Sequence, residues 1–462
     1  MHIKFNPNHK HHAKDTITHC FPFYFNFILA KNEIKSWQGI HETPLSCLEQ
    51  QFAEPPVEFA NHVIWGWEGK MDKKTICNDL DSIKKKGFRA VIFEAGYKLP
   101  FKYLSEEWFK AIRTGVLEAK KRGMKVWIID EGKYPSGFAG GKFSQERPDL
   151  RMQALVIGDT IQIKRREVMT NHKIAPEIIS AVAVSTSGAP NRTVAINNGE
   201  ISFNAGLDDW KVLLVKSDFR TAVTRAVNNP NGGKDATNSL CDYLNPIAVQ
   251  QFIDWTHEQY KKYLGKELGT TVLGFRGDEP DYAHLPWTPS IVQTFKETKG
   301  YNPTPYLASF FTASPTIQEQ RVKADYWDVW SSLFATHFFK LQADWCAANG
   351  VAHITHLNKE HEMPACVKAE GDYFRNLSKV QIPGVDAIWN QIWPGTLNDF
   401  PKLASSVAHV YGKPRAFSES FAAYHISPTI PQAKFVVDHQ IARGINFFEF
   451  MFWLAGPNIA IG

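Results

Sequence analysis

Cysteine is scarce in this sequence. Its six thiols, Cys20, Cys47, Cys77, Cys241, Cys346 and Cys366, include no CxxC and no other zinc-binding interval, which excludes the small zinc folds. They read as scattered core or surface thiols and leave the redox compartment open. Long apolar runs are also missing. Residues 20–30 are too few to cross a bilayer as a helix, and Pro22 and Asn26 interrupt them. Preceded by lysine and histidine, this run reads as an atypical secretion signal. A secreted or periplasmic location is therefore expected, a cytoplasmic one stays open, and no integral membrane contact is expected. Excess charge is small as well: a net +5 over 462 residues, with no dense Lys/Arg tract, gives no argument for a nucleic-acid partner. The cluster Lys84-Lys85-Lys86 closes a predicted helix, where it favours the helix dipole.

Aromatic residues are plentiful. Fourteen tryptophans are present, and Trp65, Trp67, Trp389, Trp393 and Trp453 fall near the predicted ends of strands. An indole face suits the apolar C–H face of a sugar ring, although tryptophan also fills barrel cores.

The chain alternates between helical periodicity and short apolar strands that end in polar residues. Strands are predicted at 59–67, 88–96, 124–131, from 272, and at 351–357, 384–390, 414–420 and 445–452. Helix signals lie between them: the period of Ile76, Leu80 and Ile83, the cap at Ser105, and Asn245-Pro246 at a helix start. Eight strands in βα order predict an α/β fold, a (β/α)8 TIM-type barrel with its site at the C-terminal ends of the strands. Between residues 150 and 238 the helical period is lost and short alternating segments take over, which predicts a small β-rich insertion after strand three, walling one side of the mouth. The expected organisation is an irregular, His-rich segment over 1–57, the first part of the barrel over 58–149, the insertion over 150–238 and the rest of the barrel over 239–462. The sequence stops before an eighth helix, so either an N-terminal segment covers that gap or the chain is a fragment.

The strand ends collect Glu94, Asp130, Glu131, Asp278, Glu279, Asp281, His353, His356, Glu419 and Glu449. Buried carboxylates are costly unless paired or functional. Two carboxyl groups flanking a glycosidic bond can cleave it, one protonating the leaving oxygen and the other activating water or attacking the sugar. Glu279 and Glu419 are the candidate catalytic pair. Asp278 and Asp281 are expected to raise the pKa of Glu279 by like-charge repulsion, and Ser418 and Ser420 to keep Glu419 ionised. Pro280 is expected to hold Glu279 in an extended backbone. Asp130, Glu131, His353, His356 and Asn390 are candidates for holding sugar hydroxyls or an ion; Trp67, Glu94, Tyr134, Asp278, Trp393 and Glu449 complete the candidate substrate-binding set. The glycine-rich stretch 132–141 lacks GxxxxGK[ST] and reads as a loop that brings backbone close to a ligand. His353 and His356 could also serve a metal-dependent hydrolase, provided that the strand ends between them.

Several short motifs stand in order: Asp130-Glu131, Tyr134-Pro-Ser-Gly-Phe-Ala-Gly-Gly141, Tyr243-Leu-Asn-Pro246, Gly277-Asp-Glu-Pro280, Gly384-Val-Asp386, Ser405-Ser-Val-Ala-His409, Ser418-Glu419 and Arg443-Gly-Ile-Asn446. Together, from about residue 60 onward, they resemble the catalytic barrel of the α-L-rhamnosidases of glycoside hydrolase family 106. The resemblance implies an inverting hydrolase of rhamnose-containing saccharides, with an acid and a base matching Glu279 and Glu419, and calcium assisting substrate binding through ligands it does not place. Family members are longer, with β-sandwich domains beyond the barrel. A truncated, inactive barrel that only binds glycan is the alternative expectation.

Overall fold

The computed structural model describes residues 44–454 except 133, 222–223, 226–233, 236–238, 283–284, 397 and 425–427. The His-rich head, the apolar run 20–30 and the residues after 454 lie outside that set.

Eight strands close into a parallel barrel: β1 (His62–Trp67), β2 (Ala90–Ala95), β3 (Lys125–Ile129), β4 (Val272–Gly277), β5 (Ala352–Thr355), β6 (Ile382–Ala387), β7 (Phe417–Ser420) and β8 (Phe447–Leu454), each paired with its neighbours in chain order. The connecting helices form where the local sequence dictates. Asp72 caps Lys73–Lys85 by accepting from the Thr75 N–H at 2.9 Å, and that helix buries Ile76, Leu80 and Ile83 along one stripe. Ser105 caps Glu106–Lys121 in the same way, and Asn245 caps Pro246–Trp255.

Side-chain alternation divides each strand between two cores. Val63, Trp65 and Trp67 of β1 point out against the helices, with Phe93 and Trp108. Ile64, Ile92, Trp127, Ile354, Phe417 and Phe447 fill the barrel itself. Two glycines make this plug possible. A Cβ on Gly274 would stand 2.0 Å from the Ala352 carbonyl oxygen, and one on Gly384 would stand 2.1 Å from the Phe417 ring. Above the plug the inward positions turn polar.

The stretch between β3 and β4 carries antiparallel sheet. Five strands run in the order Pro286–Trp287, Gln153–Ile163, Trp210–Phe219, Ile178–Ser185 and Arg192–Thr193, and three more pair as Val168–Lys173, Glu200–Asn204 and Ile196–Asn197. The first of the five comes from beyond β4, so this sheet is stitched to the segment that follows the β4 carboxylates.

Candidate active site

The site is organised around a buried arginine. Arg276, the penultimate residue of β4, has no exposed surface. Its Nη1 lies 3.0 Å from Asp278, its Nε lies 3.2 Å from Glu449, and its Nη2 pairs with Glu419. The three acids arrive from β4, β7 and β8. Register places Asp386, Glu419 and Glu449 in one row across β6, β7 and β8, all inward above the plug. A guanidinium can serve several carboxylates because its donors form a rigid fork.

His356, just past β5, is the second cation. Its Nε2 stands 3.2 Å from Asp278 and 3.3 Å from Glu419, and its Nδ1 stands 3.6 Å from Glu360. Burial would lower its pKa, but hydrogen bonds to Asp278, Glu360 and Glu419 raise it well above the usual histidine value. Asp278 responds in the opposite sense: against burial, Arg276 and His356 hold its carboxyl well below the carboxylate range.

Glu279 differs from these acids. It is partly buried, and its pKa is pushed up to about 8, first by burial, then by Asp278, with Glu360 and Glu419 adding to the effect and His356 opposing it. It stays protonated in neutral solution, as a general acid must. Asp281, also expected to contribute, is not among the largest causes. Glu279, His356 and Asp386 hold ligand-type atoms within 4.8 Å of one another, and so do Asp278, His356 and Glu419. His356 therefore stands between the two candidate catalytic carboxylates. Burial, reinforced by Glu419, keeps Asp386 well above the carboxylate range, and one of its oxygens has no hydrogen-bond partner among the described residues. Burial also raises Glu449, to about 7 against the pull of Arg276.

The backbone around the mouth is strained. Glu279, Lys359, Trp389, Asn390, Phe421 and Ala423, all past the ends of β4 to β7, have positive φ. Such residues cost about 1–3 kcal/mol each and gather at functional sites. Glu279, with φ +38, corrects the extended backbone expected before Pro280. Proline disfavours the helical region for its predecessor but does not forbid a left-handed turn that the neighbouring ion pairs fix. The serines beside Glu419 also act otherwise than expected. Ser418 donates to the Glu419 backbone carbonyl, and Ser420 accepts from Gln440. Neighbours on a strand face away from the Glu419 side chain, and Arg276 and His356 supply its donors instead.

The other expected residues separate into groups. Glu94, the penultimate residue of β2, is buried on the inward face. Asp130 is fully buried, accepts from Ser136 Oγ at 2.7 Å, and is raised to about 7 by burial against that hydrogen bond. Ser136 Oγ in turn accepts from the Asp278 N–H at 2.7 Å, which ties the glycine-rich loop to the end of β4. Glu131 faces that loop: its carboxylate accepts from the N–H groups of Gly132, Ala139 and Gly140. Three of the loop N–H groups expected to meet a ligand are therefore taken by Glu131. Tyr134 in this loop and Asn390 and Trp393 beyond β6 are partly buried near the mouth.

Two candidate substrate contacts are corrected. Trp67 has no exposed surface and packs outward on Phe93 and Trp108, with ring centroids 4.9 and 5.7 Å away. The period-two alternation of β1 turns it from the mouth. Trp67→Ala should cost about 3–5 kcal/mol of stability in urea melts while leaving KM for a saccharide within about two-fold. His353 is also turned outward: it clusters with His257 and Cys346, whereas His356 joins Asp278 and Glu419. The two imidazoles cannot hold one ion, and this overturns the metal-dependent reading of the pair. Nor does the mouth fit the expected calcium. Among the described residues, each cluster of candidate ligands there includes the His356 nitrogen, whereas calcium takes six to eight oxygens.

Residues 170–457, more than half of the chain, match the family model of glycoside hydrolase family 106, alpha-L-rhamnosidase. The chain belongs to this family. The match begins inside the insertion, so β1 to β3 and the glycine-rich loop lie outside it. A curated relative, "Putative beta-glucuronidase" of Formosa agariphila, is 24% identical over 466 residues, covering 89% of this chain and 38% of the relative. The rhamnosidase structure from Novosphingobium sp. PP1Y superposes with a TM-score of 0.67 at 15% identity, covering 90% of this chain and 57% of that one. The second match supports the fold. In both cases the chain spans well under two thirds of the relative's length.

Within this family 106 barrel, sequence reasoning missed Arg276, gave Asp386 no role, and did not single out Trp389 among the strand-end tryptophans. Arg276 had a readable signal: a cation inside the apolar run Leu273-Gly-Phe, directly before Gly277-Asp-Glu. Asp386 stood in a noted motif without a role. Trp389 was one of five strand-end tryptophans, and only its left-handed backbone leaves it 64% exposed.

Proposed function

We propose that this chain is a glycoside hydrolase that cleaves α-L-rhamnosides by single displacement with inversion. The observation that carries the reading is the contrast between Glu279, whose pKa burial and Asp278 push up to about 8, and Glu419, which pairs with both Arg276 and His356. The family description supports the rhamnoside.

In the proposed step Glu279 gives its proton to the glycosidic oxygen as the C1–O bond breaks. Glu419 takes a proton from a water whose oxygen forms the new bond to C1 from the opposite face. Charge develops on the sugar beside Asp278 and Glu449, which are acceptors, while Arg276 limits their mutual repulsion. A protonated Asp386 can donate to a sugar hydroxyl. The indole of Trp389 offers a stacking face. A rhamnose-containing oligosaccharide or polysaccharide is the proposed partner.

Glu279→Gln tests the acid. Hydrolysis of an alkyl rhamnoside should fall by about 100- to 10,000-fold, and that of an aryl rhamnoside with an acidic phenol far less, because such a phenol leaves without protonation. The wild-type rate should fall as pH rises through about 8, where Glu279 loses its proton, and the variant should lack that limb. Equal losses on both substrates would remove Glu279 from the acid role. A second reading, β-glucuronide cleavage, rests on the curated relative's name; release from an aryl β-glucuronide but from no rhamnoside would favour it.

A further inference from the structure

A cavity of about 790 Å³ lies against the chain that leaves β4, its lining beginning two residues past Glu279. The chain passes from Glu279 through Pro280 into Asp281, which lines it. Lys359, next to Glu360, lines it from the β5 side. One wall is aromatic, with Phe310 and Phe311 at the end of Thr304–Phe311 and Trp327 in Ile317–Phe334; all three rings are partly buried and partly open. Lys323 comes from the same helix as Trp327, and Lys368 comes from Met363–Glu370 opposite.

The three lysines are exposed, and among the described residues none of them forms an ion pair. Lys299, Lys340 and Lys434, by contrast, each hold an aspartate on a neighbouring turn or helix. Asp281 is the one carboxylate of the lining, so the cavity carries an excess of positive charge. Burial raises the pKa of Asp281 against the influence of Lys359. Cations above an aromatic wall match a pyranose ring bearing an anion: the ring face stacks and the anion meets the ammonium groups.

The position fixes which part of the substrate this is. A general acid stands on the leaving-group side of the bond it breaks, and the segment that carries Glu279 runs on through Pro280 into the lining of this cavity. We propose that this cavity is the leaving-group subsite, and that the sugar it takes is anionic, carrying a carboxylate or a sulfate. The inference rests on Glu279 being the acid and deepens that reading by naming the class of leaving group.

The test compares three disaccharides on the intact chain: an α-L-rhamnosyl uronate, its carboxyl-reduced neutral counterpart, and the neutral counterpart sulfated at the same carbon. The expected result is a kcat/KM about ten-fold higher for at least one anionic substrate at low salt. That preference should shrink with added salt and mostly disappear in Lys323→Ala/Lys368→Ala. The uronate and sulfate arms tell the two anions apart. Equal rates on all three, or a preference that the lysine variant retains, would overturn the subsite. So would turnover of an aryl rhamnoside with none of the disaccharides. If no rhamnoside of any kind is cleaved, the proposed activity fails and the cavity is read by calorimetry with a galacturonate dimer and its neutral counterpart. Salt-sensitive binding of the acidic dimer, lost in the lysine variant, would uphold the anionic subsite; absence of binding would overturn it.

Discussion

Glu419→Gln should lower kcat by about 100- to 10,000-fold and change KM little. The amide occupies nearly the same volume and can still accept from Arg276 and His356, so the mouth keeps its shape. It cannot take a proton from water. The loss should persist for the aryl rhamnoside whose good leaving group spares Glu279→Gln, because the base serves the water and not the leaving oxygen. That difference between the two variants is the strongest kinetic signature of the pair. It is measured from initial rates on matched alkyl and aryl substrates, with circular dichroism to establish that both variants are folded. A Glu419→Gln variant within a few-fold of wild type would show that another group activates the water.

Arg276→Met should destabilise the chain by about 3–5 kcal/mol, seen as a lower urea midpoint. The methionine fills much of the volume but leaves Asp278, Glu419 and Glu449 facing one another with only His356 between two of them. Protonation of Asp278 and Glu449 would relieve the repulsion, so the melt should recover at lower pH. Arg276→Lys should fall between: it keeps the charge but not the fork that reaches three acids. A methionine variant as stable as wild type at neutral pH would show that the acids find other partners.

Much of the barrel was legible because its signals are local and repeated. Each of the eight strands lies in or within a few residues of its predicted stretch, since an apolar run ending at a charged residue is how a buried parallel strand reads. The caps at Ser105 and Asn245 were legible for the same reason. Face was harder. Trp67 and His353 sit on strands where a shift of one residue decides between mouth and helix layer, and strand ends cannot be set that finely from sequence. The candidate pair Glu279 and Glu419 does come together around His356, but what joins them, Arg276, is a long-range feature: its partners lie on β7 and β8, some 140 to 170 residues away. No local period announces such a contact. The glycine-rich loop shows another limit. Its open N–H groups suggest a ligand, and three of them, those of Gly132, Ala139 and Gly140, bond to the chain's own Glu131.

The central claim is a single displacement in which a water stands between Glu419 and the sugar while Glu279 protonates the leaving oxygen. The most direct test follows an aryl α-L-rhamnoside by proton NMR in the presence of the folded chain, reading the anomeric signal before mutarotation. The account predicts β-L-rhamnose as the first-formed product. First-formed α-L-rhamnose would mean a covalent glycosyl intermediate, with Glu419 or a neighbouring carboxylate attacking the sugar itself, and would contradict it.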